Sequence, residues 1–329
     1  MKPIVLHELN QLELGGAERV VLNIATGDTA RTHEVLAHRD GPFRAEFERA
    51  GIKVHLLHGA YEADIFHIHT GGDPSLVANC VRLAAPVVET IHAPLRSKVA
   101  RELVSVRVAC SGTVRKANPD AVVVYNGIDF GRLAVTYKAD ARALLTIGAA
   151  EVVIGWVGRI CRGKGLEELA MLAVATQKRL GVGVTLLMAG PVQDEPVMRD
   201  VRRTLASHDR VTLVAPGPQN PATVFAAADV FASFAFTEAM PLTWIEALYC
   251  GVPMVLPDCD VGREFSDDGK LASLVPPNID TASEAIEFAI SANGWKRRQA
   301  ARQFASGFSV ARMVERYSAV YEEVLRARQ

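Results

Sequence analysis

Short apolar, β-branched runs alternate with helical periodicity almost from end to end of this chain, and that alternation is what most restricts its fold. Strands read at Ile4 to Leu6, Glu34 to Ala37, Val54 to Leu57, Ile65 to His69, Val87 to Ile91, Val106 to Ala109 and Val122 to Tyr125. Helical stretches fall at Ala17 to Ala25, Phe43 to Ala50 and Pro74 to Leu83. Strands separated by helices are joined by crossovers and pair in parallel, so this half predicts a doubly wound sheet. After Asn126-Gly127 comes a less apolar connector. A second series then opens at Val152, with strands at Val184 to Met188, Val211 to Val214, Val230 to Phe234 and Met254 to Leu256. The order predicts an α/β protein of two Rossmann-like domains, 1–130 and 131–309, with a cleft between them. The tail from Thr281 to Gln329 reads as three helices without a strand.

Composition removes several classes. With 49% hydrophobic and 22% charged residues over 329 positions the chain can fill two cores, so disorder is excluded. No apolar run approaches the ~18 residues that span a bilayer, and Met1-Lys2-Pro3 passes directly into a strand, so a cytoplasmic protein is expected. Cys80, Cys110, Cys161, Cys250 and Cys259 show no CxxC spacing, which argues against a disulfide framework or a zinc site; they are expected to be reduced and mostly buried. A net charge of −1 gives no global attraction to nucleic acid. The segment 96–116 is nonetheless basic, with Arg96, Lys98, Arg101, Arg107, Arg115 and Lys116 against Glu102. It is either a solvated face or a contact with an anionic membrane surface or lipid-phosphate acceptor.

The segment from Val230 to Leu256 carries the densest chemical signal. A buried strand through Phe236 leads to Glu238, Pro241 suits the first helical position, and Gly251 with Pro253 suits the helix stop. Ligands of open α/β sheets sit beyond the carboxyl ends of strands, where the first-turn amides of Met240, Leu242 and Thr243 and the helix dipole favour an anion. Glu238 and Glu246 would repel a phosphate, so they make sense as acceptors for hydroxyls while cations elsewhere hold the phosphates. Those cations read at Arg159 and Lys164, flanking the loop after the strand Val152 to Val157. Hydroxyls and phosphates together describe a nucleotide sugar. The plainer reading makes Glu238 a helix-start acid and the other three ordinary surface charges.

Four motifs in order bear on that choice. Gly158-Arg159-(x4)-Lys164-Gly165, then Glu238-(x7)-Glu246 and Gly251-Val252-Pro253, resemble the donor half of the retaining glycosyltransferases of family 4, which have the GT-B fold. Leu14-Gly15-Gly16-Ala17-Glu18 resembles that family's N-terminal glycine loop, and Asn126-Gly127-Ile128-Asp129 its segment ahead of the second domain. The resemblance implies retaining transfer from a nucleotide-diphosphate sugar, with uridine the commoner base, to a saccharide or lipid-linked hydroxyl. It implies that Arg159 and Lys164 face the diphosphate, Glu238 a sugar hydroxyl and Glu246 the ribose. Gly15 and Gly16 let backbone amides approach the donor, and His92, at a strand end, contacts the sugar. The resemblance also carries the last helix, about Val310 to Ala327, back onto the first domain. Ala239 departs from the pattern, which has glycine there.

Two metal spellings carry less weight. His67 and His69 share a strand face but lack a third ligand, and are expected to be core or interdomain residues. Asp258-Cys259-Asp260 spells a DxD motif, yet Arg159, Lys164 and a helix start already supply positive charge. No metal and no cofactor beyond the donor are therefore expected. A non-hydrolysing nucleotide-sugar epimerase and a catalytically lapsed nucleotide-sugar-binding protein are the alternatives. A glycosidase would leave the phosphate-directed residues unexplained.

Overall fold

The computed structural model describes residues 2–56, 61–69, 85–134, 137–149, 151–291 and 295–328; the helix expected over Pro74 to Leu83, and Cys80 within it, lie outside them. The chain divides into two compact units, Met1–Ile128 with Phe308–Gln329, and Asp129–Gly307.

The first unit is built on strands β1 (Ile4–Gln11), β2 (Thr32–Arg39), β3 (Lys53–Leu56), β4 (Ile65–Ile68), β5 (Val87–Ile91), β6 (Val106–Ala109) and β7 (Val122–Val123), in the order β3-β2-β1-β4-β5-β6-β7. Every pairing is parallel. Every residue of β4 and β5 is buried, the mark of strands covered on both faces. The edge strand β7 stops two residues short of the expected Tyr125, which is exposed.

One face of this sheet explains why the tail returns to it. Val5, Ile65, Val88 and Val108 pack with Val20 and Ile24 of the helix Gly16–Gly27, and with Met313, Tyr317, Tyr321 and Val324 of the helix Val310–Arg326. Met313, Tyr317 and Tyr321 recur every four residues and so form one stripe of that helix. The return is fixed at Asn126-Gly127-Ile128. Ile128 N–H donates to Phe308 O at 2.8 Å, and a Cβ on Gly127 would come within 2.6 Å of Val310 Cα, so only glycine permits the approach. Asn23 Nδ2 donates to Gly127 O at 3.1 Å, tying the first helix to the same point.

The second unit has β8 (Val152–Val157), β9 (Val184–Ala189), β10 (Val211–Gly217), β11 (Val230–Ala232), β12 (Met254–Pro257) and β13 (Ser273–Val275), ordered β10-β9-β8-β11-β12-β13 and again all parallel. The helix Leu166–Leu180 buries Leu169, Leu172 and Ala173 against Ile154, Leu186 and Met188. β13 was not read from the sequence, because three residues beginning with serine carry no periodicity. Both sheets are doubly wound, as expected, and each reverses its strand order once: at β1/β4 in the first and at β8/β11 in the second.

The C-terminal helix also carries polar contacts into the first sheet. Tyr321 Oη lies 2.7 Å from His67 Nδ1, and Tyr317 Oη 2.9 Å from Thr90 Oγ1, all buried. Replacing Tyr321 with Phe keeps the ring and leaves a buried imidazole nitrogen without its partner. The loss should be about 1 to 3 kcal/mol of unfolding free energy, read by urea denaturation. An unchanged urea midpoint would show that this helix is held by apolar packing alone.

Candidate functional site

The loops after β8 and β11 meet because those strands are neighbours at the point where the order reverses. The first loop runs from Gly158 to Gly165 and ends in the helix Leu166–Leu180. Gly165 caps that helix in a left-handed conformation, φ 67° and ψ 36°, which glycine adopts at little cost. A side chain there would also strike Phe234 of the second loop. β11 therefore ends at Ala232 rather than continuing to Phe236: Phe234 stays buried but leaves the ladder to pack on Gly165, and Phe236 is exposed.

Lys164 and Glu238 are brought into direct contact, Nζ to Oε1 at 2.6 Å, both partly buried. The sequence reading gave them separate tasks, and the structure makes them one ion pair. Arg159 is also partly buried, and its guanidinium donates to Gln193 Oε1 at 3.3 Å. Behind the loop, Gly190 follows β9 at φ 153°, and a Cβ on it would collide with Gly158 O. Gly190 and Gln193 were both missed in the sequence; Ala189-Gly190-Pro191 at the end of an apolar run was the available signal.

The helix Leu242–Cys250 follows the second loop. Pro241 occupies its N-cap, φ −74° and ψ 106°, one position earlier than expected, and accepts from Trp244 N–H at 3.1 Å. Leu242 and Thr243 supply the first-turn amides. Ala239 and Met240 are buried, so the loop enters the helix on packed side chains. Glu246 is partly buried one turn in. Desolvation, only partial because Cys250 is exposed at the helix end, and then the charge of Glu246 raise the Cys250 thiol; of the described cysteines Cys110 alone is buried, against the expectation that most would be.

The remaining candidates belong to the first unit. Gly15 caps the helix Gly16–Gly27 with extended backbone, and the space a side chain on it would take is filled by the carboxylate of Glu18, itself buried in the first turn. Glu18 thus already complements the helix dipole next to Gly15 and Gly16. The basic segment is also smaller than its sequence. Arg107 is buried and pairs with Glu89 at 2.7 Å and Asp120 at 2.9 Å, and Arg101 reaches Asp120 at 3.0 Å. Arg96, Lys98, Arg101, Arg115 and Lys116 are exposed.

His92 follows β5 and stands at the end of a row of rings that the sequence did not show. His92 Nε2 lies 3.0 Å from His69 Nδ1, His69 Nε2 3.1 Å from His7 Nδ1, and His7 Nε2 2.9 Å from His33 Nδ1. His33 Nε2 in turn lies 3.3 Å from Asp28 Oδ2, a looser contact than the links between the rings. Parallel pairing places them together: His7 is opposite His67, His33 opposite Val5, and alternate residues share a face.

Ligand atoms of His7, His67 and His69 lie within 4.8 Å of one another, so the third imidazole that the His67/His69 pair lacked in sequence comes from β1. All six of their ring nitrogens have hydrogen-bond partners, His67 with Tyr321 and Thr90 and the other two along the row. Of the DxD spelling, Asp258 is held by Arg263 through two contacts, at 2.7 and 3.1 Å. No helix among the described residues is long and apolar enough to cross a membrane.

Burial holds His7, His67 and His69 well below the ordinary imidazole range, with repulsion from neighbouring rings adding to it, and lowers His92 to about 4. Burial alone would raise Asp28, but the nearby His33 ring and the hydrogen bonds from Arg31 and the Ala30 amide outweigh it and hold the carboxyl far below its usual value. For all five groups the unfolded chain takes up protons before the folded chain does. Their stabilisation is complete above the unfolded values and is lost as pH falls. Unfolding free energy should therefore be level above pH ~7 and decline below ~6.5, by up to about 1.4 kcal/mol per pH unit for each histidine, with Asp28 adding to the fall below ~4. Urea midpoints that stay constant from neutrality to pH ~4.5 would contradict the neutral cluster.

Comparison with known proteins adds to this geometry. A family model described as Glycosyl transferases group 1 matches residues 151–292. A D-inositol 3-phosphate glycosyltransferase of Mycobacteroides abscessus is 31% identical over 204 residues, covering 60% of this chain and 45% of that protein. One from Segniliparus rotundus is 36% identical over 146 residues, 42% of this chain and 32% of its own length. The chain thus spans half or less of these two curated relatives. Among solved structures, Anabaena Alr3699/HepE in complex with UDP and glucose superposes with a TM-score of 0.80 at 19% identity, covering 97% of this chain and 99% of that one. A glycosyltransferase from Rickettsia africae gives 0.83 at 16% identity, covering 98% and 99%.

Proposed function

Since residues 151–292 belong to the group 1 glycosyl transferases and the chain has the GT-B fold, we propose that it is a retaining glycosyltransferase. It moves a sugar from a UDP-sugar to a hydroxyl of a saccharide or lipid-linked acceptor. The observation that carries this is the Lys164–Glu238 contact at the β8/β11 reversal. It sets a cation and a hydroxyl acceptor side by side where such a sheet binds its ligand. UDP and UDP-glucose bound to the HepE relative, and the glycosyltransferase names of the curated relatives, support the choice of donor class.

Breaking the anomeric bond leaves an oxocarbenium-like centre and a diphosphate, so stabilising the departing charge is the main catalytic task. Arg159, Lys164 and the amides of Leu242 and Thr243 serve that charge. When the diphosphate arrives, Lys164 shares its proton donors between it and Glu238. Glu238 then accepts from a sugar hydroxyl, Glu246 accepts from the ribose, and His92 accepts from a second sugar hydroxyl. Met240 and Pro241 shape the turn that aims the amides, and Gly15 and Gly16 admit the donor if Glu18 turns aside. None of these roles requires a metal. The acceptor's identity rests on loops of the first unit, and a peripheral membrane contact through 96–116 would rest on Arg96, Lys98, Arg115 and Lys116.

A thermal-shift panel of UDP, GDP, ADP and their sugars tests the donor, because a ligand that binds only the folded chain raises its melting temperature. UDP should shift it most. Glu246→Ala should weaken UDP binding by about 1 to 3 kcal/mol, roughly 5- to 150-fold by calorimetry. Glu238→Gln should spare UDP affinity and lower sugar transfer. Equal UDP affinity in Glu246→Ala would remove the ribose assignment, and no response to any nucleotide would remove the enzyme reading.

A further inference from the structure

The row of imidazoles has a direction, and Asp28 sets it. The Asp28 carboxylate lies 3.3 Å from His33 Nε2 without the alignment of a hydrogen bond, and because a lone pair facing a carboxylate is repelled, the contact favours the proton on His33 Nε2. Neutral His33 then offers Nδ1 as an acceptor, and His7 must donate from Nε2. The same step repeats at each ring: His7 Nδ1 accepts from His69 Nε2–H, and His69 Nδ1 accepts from His92 Nε2–H. The choice at one end propagates to the other because a neutral imidazole has one donor and one acceptor. His92 Nδ1 is left as a bare lone pair, with no hydrogen-bond partner among the described residues.

Reversal would need either a second proton on His33 or its Nδ1–H tautomer, which would turn the Nε2 lone pair toward the Asp28 carboxylate at 3.3 Å. The charge balance around Asp28 opposes both. Arg31 already pairs with Asp28 at 2.8 Å, both side chains being 4% exposed, and reaches Glu322 at the surface at 3.8 Å, so a second proton on His33 would put a further charge into a closed interior. Arg31 is held in turn by Ser318, its Nη1 donating to Oγ at 2.9 Å and its Nη2 to the carbonyl at 3.3 Å. The aromatic rings packed beside the row add no competing charge: His67 binds Tyr321 and Thr90, and the Tyr321 ring lies 6.3 Å from His33.

We infer that Asp28, His33, His7 and His69 are positioning residues that lock His92 in its Nε2–H tautomer, so that its Nδ1 can only accept a hydrogen bond from a ligand hydroxyl. The use of that acceptor rests on the proposed function, where His92 meets a sugar hydroxyl; the tautomer itself does not. A ligand hydroxyl that must donate to His92 keeps both its oxygen lone pairs for other donors. A ring free to change tautomer could instead donate and accept a different orientation of the sugar, so the lock selects one orientation.

The test is long-range proton–nitrogen NMR of the full chain labelled with 15N-histidine at pH 7.5, with His92 assigned by the signals lost in His92→Gln. The expected spectrum shows an unprotonated, imine-type Nδ1 and a protonated Nε2 for His92. A protonated Nδ1, which a cationic His33 would produce, overturns the lock, as does averaging of the two tautomers. In Asp28→Asn an amide can donate to His33 as well as accept, so the His92 signals should move to averaged or reversed positions. Because Asp28 also holds Arg31, His33→Leu provides the second cut, leaving the Asp28–Arg31 pair in place. An unchanged His92 tautomer in either folded variant would show that the row does not set it. Stoichiometric zinc in the purified protein would overturn it as well, because a metal would take these nitrogens as ligands. These spectra decide the lock whether or not the chain transfers a sugar, and the nucleotide panel decides the function whether or not the ring is locked.

Discussion

The contact between Lys164 and Glu238 joins two loops 74 residues apart, and much of the second unit exists to make that contact short. It requires β8 and β11 to be adjacent, which requires the order of a parallel sheet to reverse there. It requires Gly165 to turn left-handed so that the first loop comes down against Phe234, and Gly190 to lack a side chain so that Gly158 can sit beside it. It also requires β11 to stop early. Each requirement is met by backbone geometry, which brings the two charged side chains within reach, though holding both in one geometry still costs rotamer entropy. Partial burial keeps the pair from being screened as a surface pair would be, while leaving it reachable by a ligand.

How much of this was legible depended on the range of the signal. Alternation of apolar runs with helical periods is local, so the parallel α/β class and most strands were readable; the three-residue β13 and the early end of β11 were not. Arg159, Lys164, Glu238 and Glu246 could be picked out because each lies beside a strand end or helix start, positions that sequence does mark. That Lys164 and Glu238 touch was not readable, since it depends on strand order, which no local pattern records. Arg107 shows the opposite error. It counted toward a basic surface in the sequence, yet it lies on β6 with Glu89 of β5 opposite it, and the pair is interior.

The histidines make the same point more sharply. Eight of the nine fall in the first 92 residues, but composition alone cannot say that four of them join end to end. Their contact follows from register: β1 between β2 and β4, with His7 opposite His67 and two residues beyond the partner of His33. Once in register, burial removes the charged forms and leaves neutral rings whose only freedom is which nitrogen carries the proton. The Asp28 carboxylate at the far end, 3.3 Å from His33 Nε2, biases that choice. Buried polar residues specify an arrangement most firmly where every member is satisfied: both nitrogens of His7, His67 and His69 are, whereas His33 Nε2 has only the 3.3 Å approach to Asp28.

Ala239 is where the sequence departed from the pattern it otherwise followed, and the structure gives the departure a definite meaning. A glycine in that loop would matter most if the backbone turned left-handed, a conformation that a methyl group penalises. Among the described residues the non-glycine positions with positive φ are Thr146, Asp267 and Asp268, and Ala239 is not one of them. Its methyl is 6% exposed, packed beneath a turn whose neighbours Met240 and Pro241 are also buried. The methyl therefore fills the loop instead of straining it. It also narrows the angles the chain can take between Glu238 and the helix Leu242–Cys250, and so lowers the entropy that ordering this segment would otherwise cost. What a glycine would leave to the ligand to organise, Ala239 organises in advance, and the Lys164–Glu238 pair inherits a firmer base.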